Sequence, residues 1–192
     1  KSVNLYQNTP NTVLFLGDHI YQYHLKEKKF STITEEEGKD IVGTLVPFDH
    51  QENLTYINDI KHIYELDDQT SRLKTVFECY TDTVISSVSH DEQGHFWIGS
   101  NFGLIHYDPV LKSRTLVPTN LFTEINMVLC DQKGKVWIGV DNMLFAYFIK
   151  EQKFVLFGES NGAIQNEYLP NARLVNEQGD AYIGGVKGML RI

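Results

Sequence analysis

The sequence predicts an all-β protein made of repeated four-stranded antiparallel units, and three observations support this fold class. A triplet of an aromatic, an aliphatic and a small residue recurs with a nearly constant period. A turn led by Asp or Asn and ending in glycine precedes the last three triplets. No stretch shows the 3.6-residue apolar period of an amphipathic helix. Short strands in units of about 40 residues are typical of β-propeller blades.

The triplets set the period of the repeat. Successive triplets begin 41, 41, 40 and 45 residues apart. We predict that each triplet lies in the second strand of its blade. The triplets are Phe15-Leu16-Gly17, Tyr56-Ile57-Asn58, Trp97-Ile98-Gly99, Trp137-Ile138-Gly139 and Tyr182-Ile183-Gly184.

The turns before the last three triplets predict tight hairpins. A leading Asp or Asn can accept a hydrogen bond from its own backbone two residues on, and the closing glycine tolerates a positive φ. Each turn would therefore join the first strand of a blade to the second. The turns are Asp91 to Gly94, Asp131 to Gly134 and Asn176 to Gly179.

The strand count predicts about five blades within a single β-propeller segment that spans residues 1–192. The blades are expected at residues 2–34, 41–78, 84–118, 124–158 and 170–192. The last unit has three predicted strands, and neither end of the chain has a spare strand to complete it. We therefore expect a partial arc of a seven-bladed propeller, rather than five blades that close imperfectly. The remainder of that propeller and a second copy of the chain, in a homodimer, are the expected protein partners.

Composition excludes two classes of partner. Seventeen basic and 25 acidic residues give a net charge of -8, which argues against nucleic-acid binding. The longest apolar run has seven residues, from Met143 to Ile149. About 20 are needed to cross a bilayer, so no membrane span is expected in this chain.

A family resemblance is carried by the third and fourth units. The pattern Asp91-x-x-Gly94-x-x-Trp97-Ile98-Gly99, continued by Gly103-Leu104 and Tyr107-Asp108, resembles the two-component regulator propeller repeat. Asp131 to Gly139 repeats the first part of it. The last unit, with Tyr182-Ile183-Gly184-Gly185 and Gly188-Met189, is similar to the terminal blade of that family. These repeats form the periplasmic sensor region of hybrid two-component histidine kinases of gut Bacteroidetes.

The resemblance implies a periplasmic, ligand-sensing segment of a sensor histidine kinase. It also implies an oligosaccharide as the ligand and no catalysis by the segment itself. Two other functions remain open. A propeller enzyme, such as a polysaccharide lyase, a glycosidase or a streptogramin-lyase-like protein, would need acid, base or metal ligands clustered on the channel face. A structural or protein-interaction propeller would need neither these groups nor a sugar site.

The repeated residues are predicted to be structural. An aromatic residue at one strand position in every blade favours packing between blades over sugar stacking. Asp91 and Asp131 are predicted to form turns rather than to act as catalytic carboxylates. The full structural set is Asp91, Gly94, Trp97, Gly99, Asp131, Gly134, Trp137, Gly139, Tyr182 and Gly184.

Ligand-binding residues are expected where the blades do not repeat, in the links after the second strand and in the connectors between blades. Amide, carboxylate and aromatic side chains in such loops suit an oligosaccharide. No catalytic residue, metal site or cofactor is predicted, because the seven histidines lack a paired metal-ligand spacing. Cys79 and Cys130 are expected to remain thiols. The candidate ligand-binding residues are Asp18, His19, Asp59, Tyr80, Asn101, Phe102, Phe122, Asn142 and Tyr168.

Overall fold

The computed structural model describes residues 4–17, 19–35, 45–51, 54–80, 82–176 and 178–192. These residues form five sheets in which the consecutive strands of each blade pair antiparallel, and the predicted all-β fold of propeller blades is confirmed. The chain divides into two compact units, residues 1–82 and residues 83–192. The only helix within the described residues is one 3-10 turn, Glu159–Asn161. No helix in that part of the chain is long and apolar enough to cross a membrane.

The first unit contains two blades, and a short additional strand lies between them in sequence. Blade 1 consists of β1 (Asn4–Thr9), β2 (Thr12–Leu16), β3 (Ile20–His24) and β4 (Lys29–Thr32). After β5 (Thr34–Glu35), blade 2 consists of β6 (Val46–Gln51), β7 (Leu54–Asn58), β8 (His62–Asp67) and β9 (Arg72–Glu78). β5 pairs in parallel with β9, which makes the second sheet five-stranded.

The second unit contains three blades. Blade 3 consists of β10 (Ile85–His90), β11 (Phe96–Ser100), β12 (Gly103–Asp108) and β13 (Ser113–Leu116). Blade 4 consists of β14 (Met127–Cys130), β15 (Lys135–Val140), β16 (Met143–Phe148) and β17 (Lys153–Phe157). Blade 5 has three strands, β18 (Tyr168–Val175), β19 (Ala181–Gly185) and β20 (Gly188–Arg191).

The core of the first unit lies between its two blades. Leu14 and Leu16 of β2 belong to the same apolar cluster as Ile57 of β7 and Tyr64 and Leu66 of β8. All five side chains are almost completely excluded from solvent. In this unit, as the repeat predicts, the aromatic-aliphatic triplets lie at the ends of the second strands, β2 and β7.

In the second unit, burial falls from the inner strands to the outer strand. All five residues of β11 are buried, whereas all four residues of β13 are exposed. In blade 4, all residues of β15 after the first are buried as well, because blades 3 and 5 cover the two faces of this sheet and the usual in-out alternation is lost. This pattern explains why the second strands have apolar and small residues with no polar face.

Aspartate-led turns close the first hairpins of blades 3 and 4. The Asp91 carboxylate accepts hydrogen bonds through Oδ1 from the backbone N–H of Gln93, at 3.0 Å, and of His95, at 2.9 Å. Gly94 has φ of 86°, a conformation that favours glycine. Asp131 bonds the backbone of Lys133 and Lys135 in the same way.

The same carboxylates also hold the tryptophans of the repeat. The indole Nε1–H of Trp97 donates to Oδ2 of Asp91 at 2.8 Å, and that of Trp137 donates to Oδ2 of Asp131 at 3.0 Å. Trp97 lies in the core between blades 3 and 4, 5.6 Å from the ring of Tyr147. Trp137 lies in the core between blades 4 and 5. One carboxylate therefore ties each turn to an interblade core.

The glycine of the triplet allows neighbouring blades to approach closely. A Cβ atom on Gly139 would lie 2.9 Å from Cβ of Tyr168 in blade 5 and 3.2 Å from Cβ of Met127, its pairing partner within blade 4. Because both neighbours are themselves Cβ atoms, they can move only with their backbone. A Cβ atom on Gly99 would similarly lie within 2.8 Å of Ile125 and Val128.

We predict that Gly139→Ala lowers the free energy of unfolding by about 1–3 kcal/mol, because the added methyl group overpacks a close blade contact. Chemical denaturation of the chain, followed by tryptophan fluorescence, measures the change. Gly158→Ala is the matched control, since a Cβ atom there meets nothing within 4 Å. Equal effects of the two substitutions would contradict the proposed role of Gly139.

We further predict that Asp131 and Trp137 are energetically coupled by about 1–2 kcal/mol in a double-mutant cycle. Asp131→Ala removes the acceptor of the indole N–H, whereas Trp137→Phe removes that N–H group. Asp131→Ala should therefore cost less stability in the Trp137→Phe background than in the original chain. A coupling energy near zero in denaturant titrations would exclude this hydrogen bond as a stabilising contact.

Candidate functional site

The second unit contains a cleft of about 640 Å³ where blades 3 and 4 meet. It opens at the edge of the sheets that bears the turns between first and second strands and between third and fourth strands, here called the turn edge, and it extends along the blades to Val117 and Pro118. The opposite edge, which bears the links between second and third strands and the connectors between blades, is called the loop edge. The cleft is lined by Asp91, Gln93, His95, Trp97, His106, Thr115, Val117, Pro118, Tyr147, Ile149 and Gln152.

Two histidines and two carboxylates meet at one end of this cleft. His95 Nδ1 lies 3.6 Å from Asp91 Oδ2, and His95 Nε2 lies 3.6 Å from Asp108 Oδ2. The His106 ring lies edge-on to the His95 ring, with 4.9 Å between their centroids. Asp91, His95 and His106 each offer a ligand atom, and these atoms lie within 4.8 Å of one another.

Strand pairing explains how the histidines come together. His95 is next to the start of β11, and His106 lies on β12 directly opposite Trp97 in the ladder. Side chains two residues apart on a strand point to the same face, so His95 and Trp97 share the face on which His106 lies. The His106 ring also packs against Trp97, with centroids 4.5 Å apart.

The carboxylates are held in place by the backbone. Asp91 is 7% exposed and is fixed by the turn and indole hydrogen bonds described above. Oδ1 of Asp108 accepts from the backbone N–H of Val110, at 2.8 Å, and of Leu111, at 2.9 Å. Since Oδ1 is used in this turn, Oδ2 of Asp108 is the oxygen that faces His95.

Burial and neighbouring charges change the pKa values in this cluster. Desolvation and the charge of His95 lower the pKa of His106, and Asp91 and Asp108 oppose this effect only in part. Hydrogen bonds from the backbone N–H groups of Leu111 and Val110 lower the pKa of Asp108, an effect to which the positive charges of His95 and His106 add.

Blade 4 keeps the aspartate and tryptophan of this arrangement but replaces the histidines. Lys135 occupies the position that corresponds to His95, and its Nζ lies 3.5 Å from Asp131 Oδ2. Ala146 pairs with Trp137 in the ladder, just as His106 pairs with Trp97. The histidine pair is therefore a feature of blade 3 and not of the repeat.

The loop edge of the second unit contains several of the predicted ligand-binding residues. Asn101 accepts a hydrogen bond through Oδ1 from the backbone N–H of Val84 at 2.8 Å, while the neighbouring Phe102 is 53% exposed. In the next blade, Asn142 is exposed, and its carbonyl oxygen accepts from the N–H of Asn166 at 3.2 Å. The links and the blade connectors therefore meet at this edge.

Two other predicted residues of the second unit are structural contacts. The ring of Phe122 packs against the rings of Phe145 and Phe154, with centroids 5.1 and 5.4 Å apart. Tyr168 is buried, and its hydroxyl donates to the carbonyl oxygen of Ile164 at 2.8 Å. A role of either side chain in ligand binding stays a prediction.

The first unit contains the remaining predicted residues. His19 and Tyr80 are exposed. Asp59 is fully buried and accepts hydrogen bonds from the backbone of Lys61 and His62 and from the Tyr64 hydroxyl. Asp18 lies outside the described residues.

Sequence reasoning missed the cluster of Asp91, His95, His106 and Asp108. It tested the seven histidines only for a paired metal-ligand spacing and predicted no metal site. The available signal was a comparison of matching positions between repeats: blade 3 has histidine where blade 4 has Lys135 and Ala146. The spacing of 11 residues places His95 and His106 diagonally across a hairpin, since His106 pairs with Trp97, two residues from His95, and a search for helical metal motifs does not test this spacing.

Sequence reasoning also missed Arg173. Its guanidinium donates from β18 to Ser87 Oγ of β10 at 2.7 Å and to the carbonyl oxygen of Val88. Desolvation lowers the pKa of Arg173 to about 10. The side chain thus links the first strands of blades 5 and 3.

The two cysteines, Cys79 and Cys130, form no disulfide with any residue that the structure describes, and burial strongly raises the pKa of the Cys130 thiol.

Solved structures with the same fold include two extracellular domains from B. thetaiotaomicron. Both parent proteins are described as hybrid two-component systems. For BT4673 the TM-score is 0.71 at 14% identity, covering 100% of this chain and 27% of that chain. For BT3049 the TM-score is 0.69 at 14% identity, covering 99% and 28%.

A third similar structure is YCF48 bound to a D1 peptide, with a TM-score of 0.70 at 11% identity, covering 97% of this chain and 62% of that chain. No protein-family model matches the chain, and no curated protein matches it. The chain spans about a quarter of the two extracellular domains. At these identities the similarity shows the fold, which is the β-propeller fold of extracellular domains from hybrid two-component systems.

Proposed function

We propose that this chain is a ligand-binding segment of the periplasmic sensor region of a hybrid two-component histidine kinase. The observation that carries the proposal is the fold similarity over 99% to 100% of the chain with two extracellular domains of such systems. The repeat pattern of blades 3 and 4, which resembles the regulator propeller repeat, supports it independently. In this proposal the segment binds a ligand and performs no chemistry.

An oligosaccharide is the proposed ligand, and the loop edge of the second unit is its proposed site. Phe102 offers an exposed aromatic face, which suits the apolar face of a sugar ring. Asn142 offers an exposed amide, which can both donate and accept hydrogen bonds with hydroxyl groups. Leu121 and Ile164, in the connectors at the same edge, add exposed apolar surface.

Signalling would require that the ligand bind two arrangements of the sensor region with different affinities. We propose a homodimer of the sensor region as the element that has these two arrangements. Ligand binding would shift the dimer toward one of them, and the change would pass through the membrane to the kinase. This step requires no bond making or breaking in the segment.

We predict that the chain releases or absorbs heat when titrated calorimetrically with at least one member of a panel of neutral and acidic oligosaccharides. Phe102→Ala should weaken that binding by about tenfold, or ~1.4 kcal/mol, because it removes the aromatic face. Leu111→Ala is the matched control, because Leu111 is a similarly exposed apolar residue at the turn edge of the same blade.

Two results would contradict the proposal. An absence of heat with every oligosaccharide would exclude this ligand class for the chain. Equal affinities of the Phe102→Ala and Leu111→Ala variants for a bound oligosaccharide would exclude the loop edge around Phe102 as the site.

A further inference from the structure

We infer that Asp91, His95 and His106 form a binding site for a divalent transition-metal cation, with Zn²⁺ as the best fit, at the turn edge of blade 3. Asp108 is its positioning residue. The site is separate from the proposed oligosaccharide site, since the two lie at opposite edges of the blade.

The distances between ligand atoms fit a site that closes around a small cation. Zinc binds nitrogen and oxygen ligands at about 2.0–2.2 Å, so tetrahedral ligands are separated by about 3.3–3.6 Å. His95 Nδ1 is already 3.6 Å from Asp91 Oδ2, and all three ligand atoms lie within 4.8 Å. His95 is partly exposed, with 29% of its side chain accessible. Separations above 3.6 Å would need to shorten by at most about 1.2 Å, through rotation of the side chains concerned.

The types of ligand select the metal. Two imidazoles and one carboxylate favour zinc and neighbouring transition metals, whereas calcium and magnesium prefer a shell of oxygen ligands. Three protein ligands leave one position for water or for an oxygen atom of a molecule in the cleft. The cleft of about 640 Å³ that contains all three side chains gives access to that position.

The groups around the ligands orient them. Asp108 Oδ2 faces Nε2 of His95, so a proton on Nε2 leaves Nδ1 directed at Asp91 with its lone pair available. This arrangement of carboxylate, imidazole and metal is common in zinc sites. The backbone N–H groups that bind Asp108, and the turn and indole donors that bind Asp91, hold both carboxylates in position before a metal arrives.

Blade 4 provides a comparison within the chain. There the Lys135 ammonium group lies 3.5 Å from the aspartate oxygen that accepts from the tryptophan, and it supplies the positive charge directly. In blade 3, imidazole rings replace the lysine and the facing alanine at matching positions. The turn carboxylate thus has a lysine ammonium group beside it in blade 4 and two candidate metal ligands beside it in blade 3.

The test is a titration of the metal-free chain with Zn²⁺ by isothermal calorimetry, and with Co²⁺ by visible absorption. We expect one Zn²⁺ per chain, and a visible absorption band of Co²⁺ with nitrogen and oxygen ligands. The variant with His95→Lys and His106→Ala reproduces the arrangement of blade 4 and should therefore fold. It should weaken Zn²⁺ binding by at least about 100-fold.

Two further variants make the test specific. Asp108→Asn should weaken Zn²⁺ binding by about 10- to 100-fold while the melting temperature of the metal-free chain stays unchanged, because Asp108 acts through His95. His19→Ala, which removes an exposed histidine outside the cluster, should leave the affinity unchanged.

Three results would overturn the inference. The first is that the original chain does not bind Zn²⁺ at neutral pH. The second is that the variant with His95→Lys and His106→Ala binds Zn²⁺ with the same affinity as the original chain. The third is that equimolar Mg²⁺ or Ca²⁺ displaces bound Zn²⁺. Each can occur whether or not the chain binds an oligosaccharide, so the metal site and the proposed function succeed or fail separately.

Discussion

The hydrogen bond between a turn aspartate and a core tryptophan connects the hairpin turn of a blade to the packing between blades. One oxygen of Asp91 closes the turn, and the other accepts the indole N–H of Trp97, which packs between blades 3 and 4. A buried indole N–H without an acceptor would cost stability. The carboxylate removes that cost and fixes the ring, so that the shape of the hairpin and the packing of the next blade depend on the same residue.

The blades can then approach closely because the triplet ends in a small residue. Gly99 and Gly139 leave room for side chains of the following blade, because a methyl group would lie within 2.8 Å of Cγ2 atoms of Ile125 and Val128 at Gly99 and 2.9 Å from Cβ of Tyr168 at Gly139. The tryptophan and the glycine of the triplet thus lie two residues apart on the same strand. This combination explains why the triplet is the most regular part of the repeat.

Blades 3 and 4 share the aspartate turn and the tryptophan but differ in the residues around them. The turn and the tryptophan are common to blades 3 and 4, so the residues around them can change without loss of the fold. In blade 4 the carboxylate has Lys135 beside it, and in blade 3 it has His95 and His106. The candidate metal ligands therefore lie on regular, rigid elements, whereas the candidate sugar-binding residues lie in links whose sequences differ between blades.

The sequence by itself determined the all-β fold, the period and the place of each triplet in a second strand, because these follow from local patterns: alternation of residue types, turn chemistry and repetition. Only the tertiary structure decided which loop residues are exposed, as for Phe102, and which are packed inside, as for Tyr168. It also decided that His95 and His106 meet across a hairpin and that Arg173 reaches Ser87 two blades away. The physical reason is that these contacts depend on strand register and blade packing, and neither is encoded in the local pattern of residues around them.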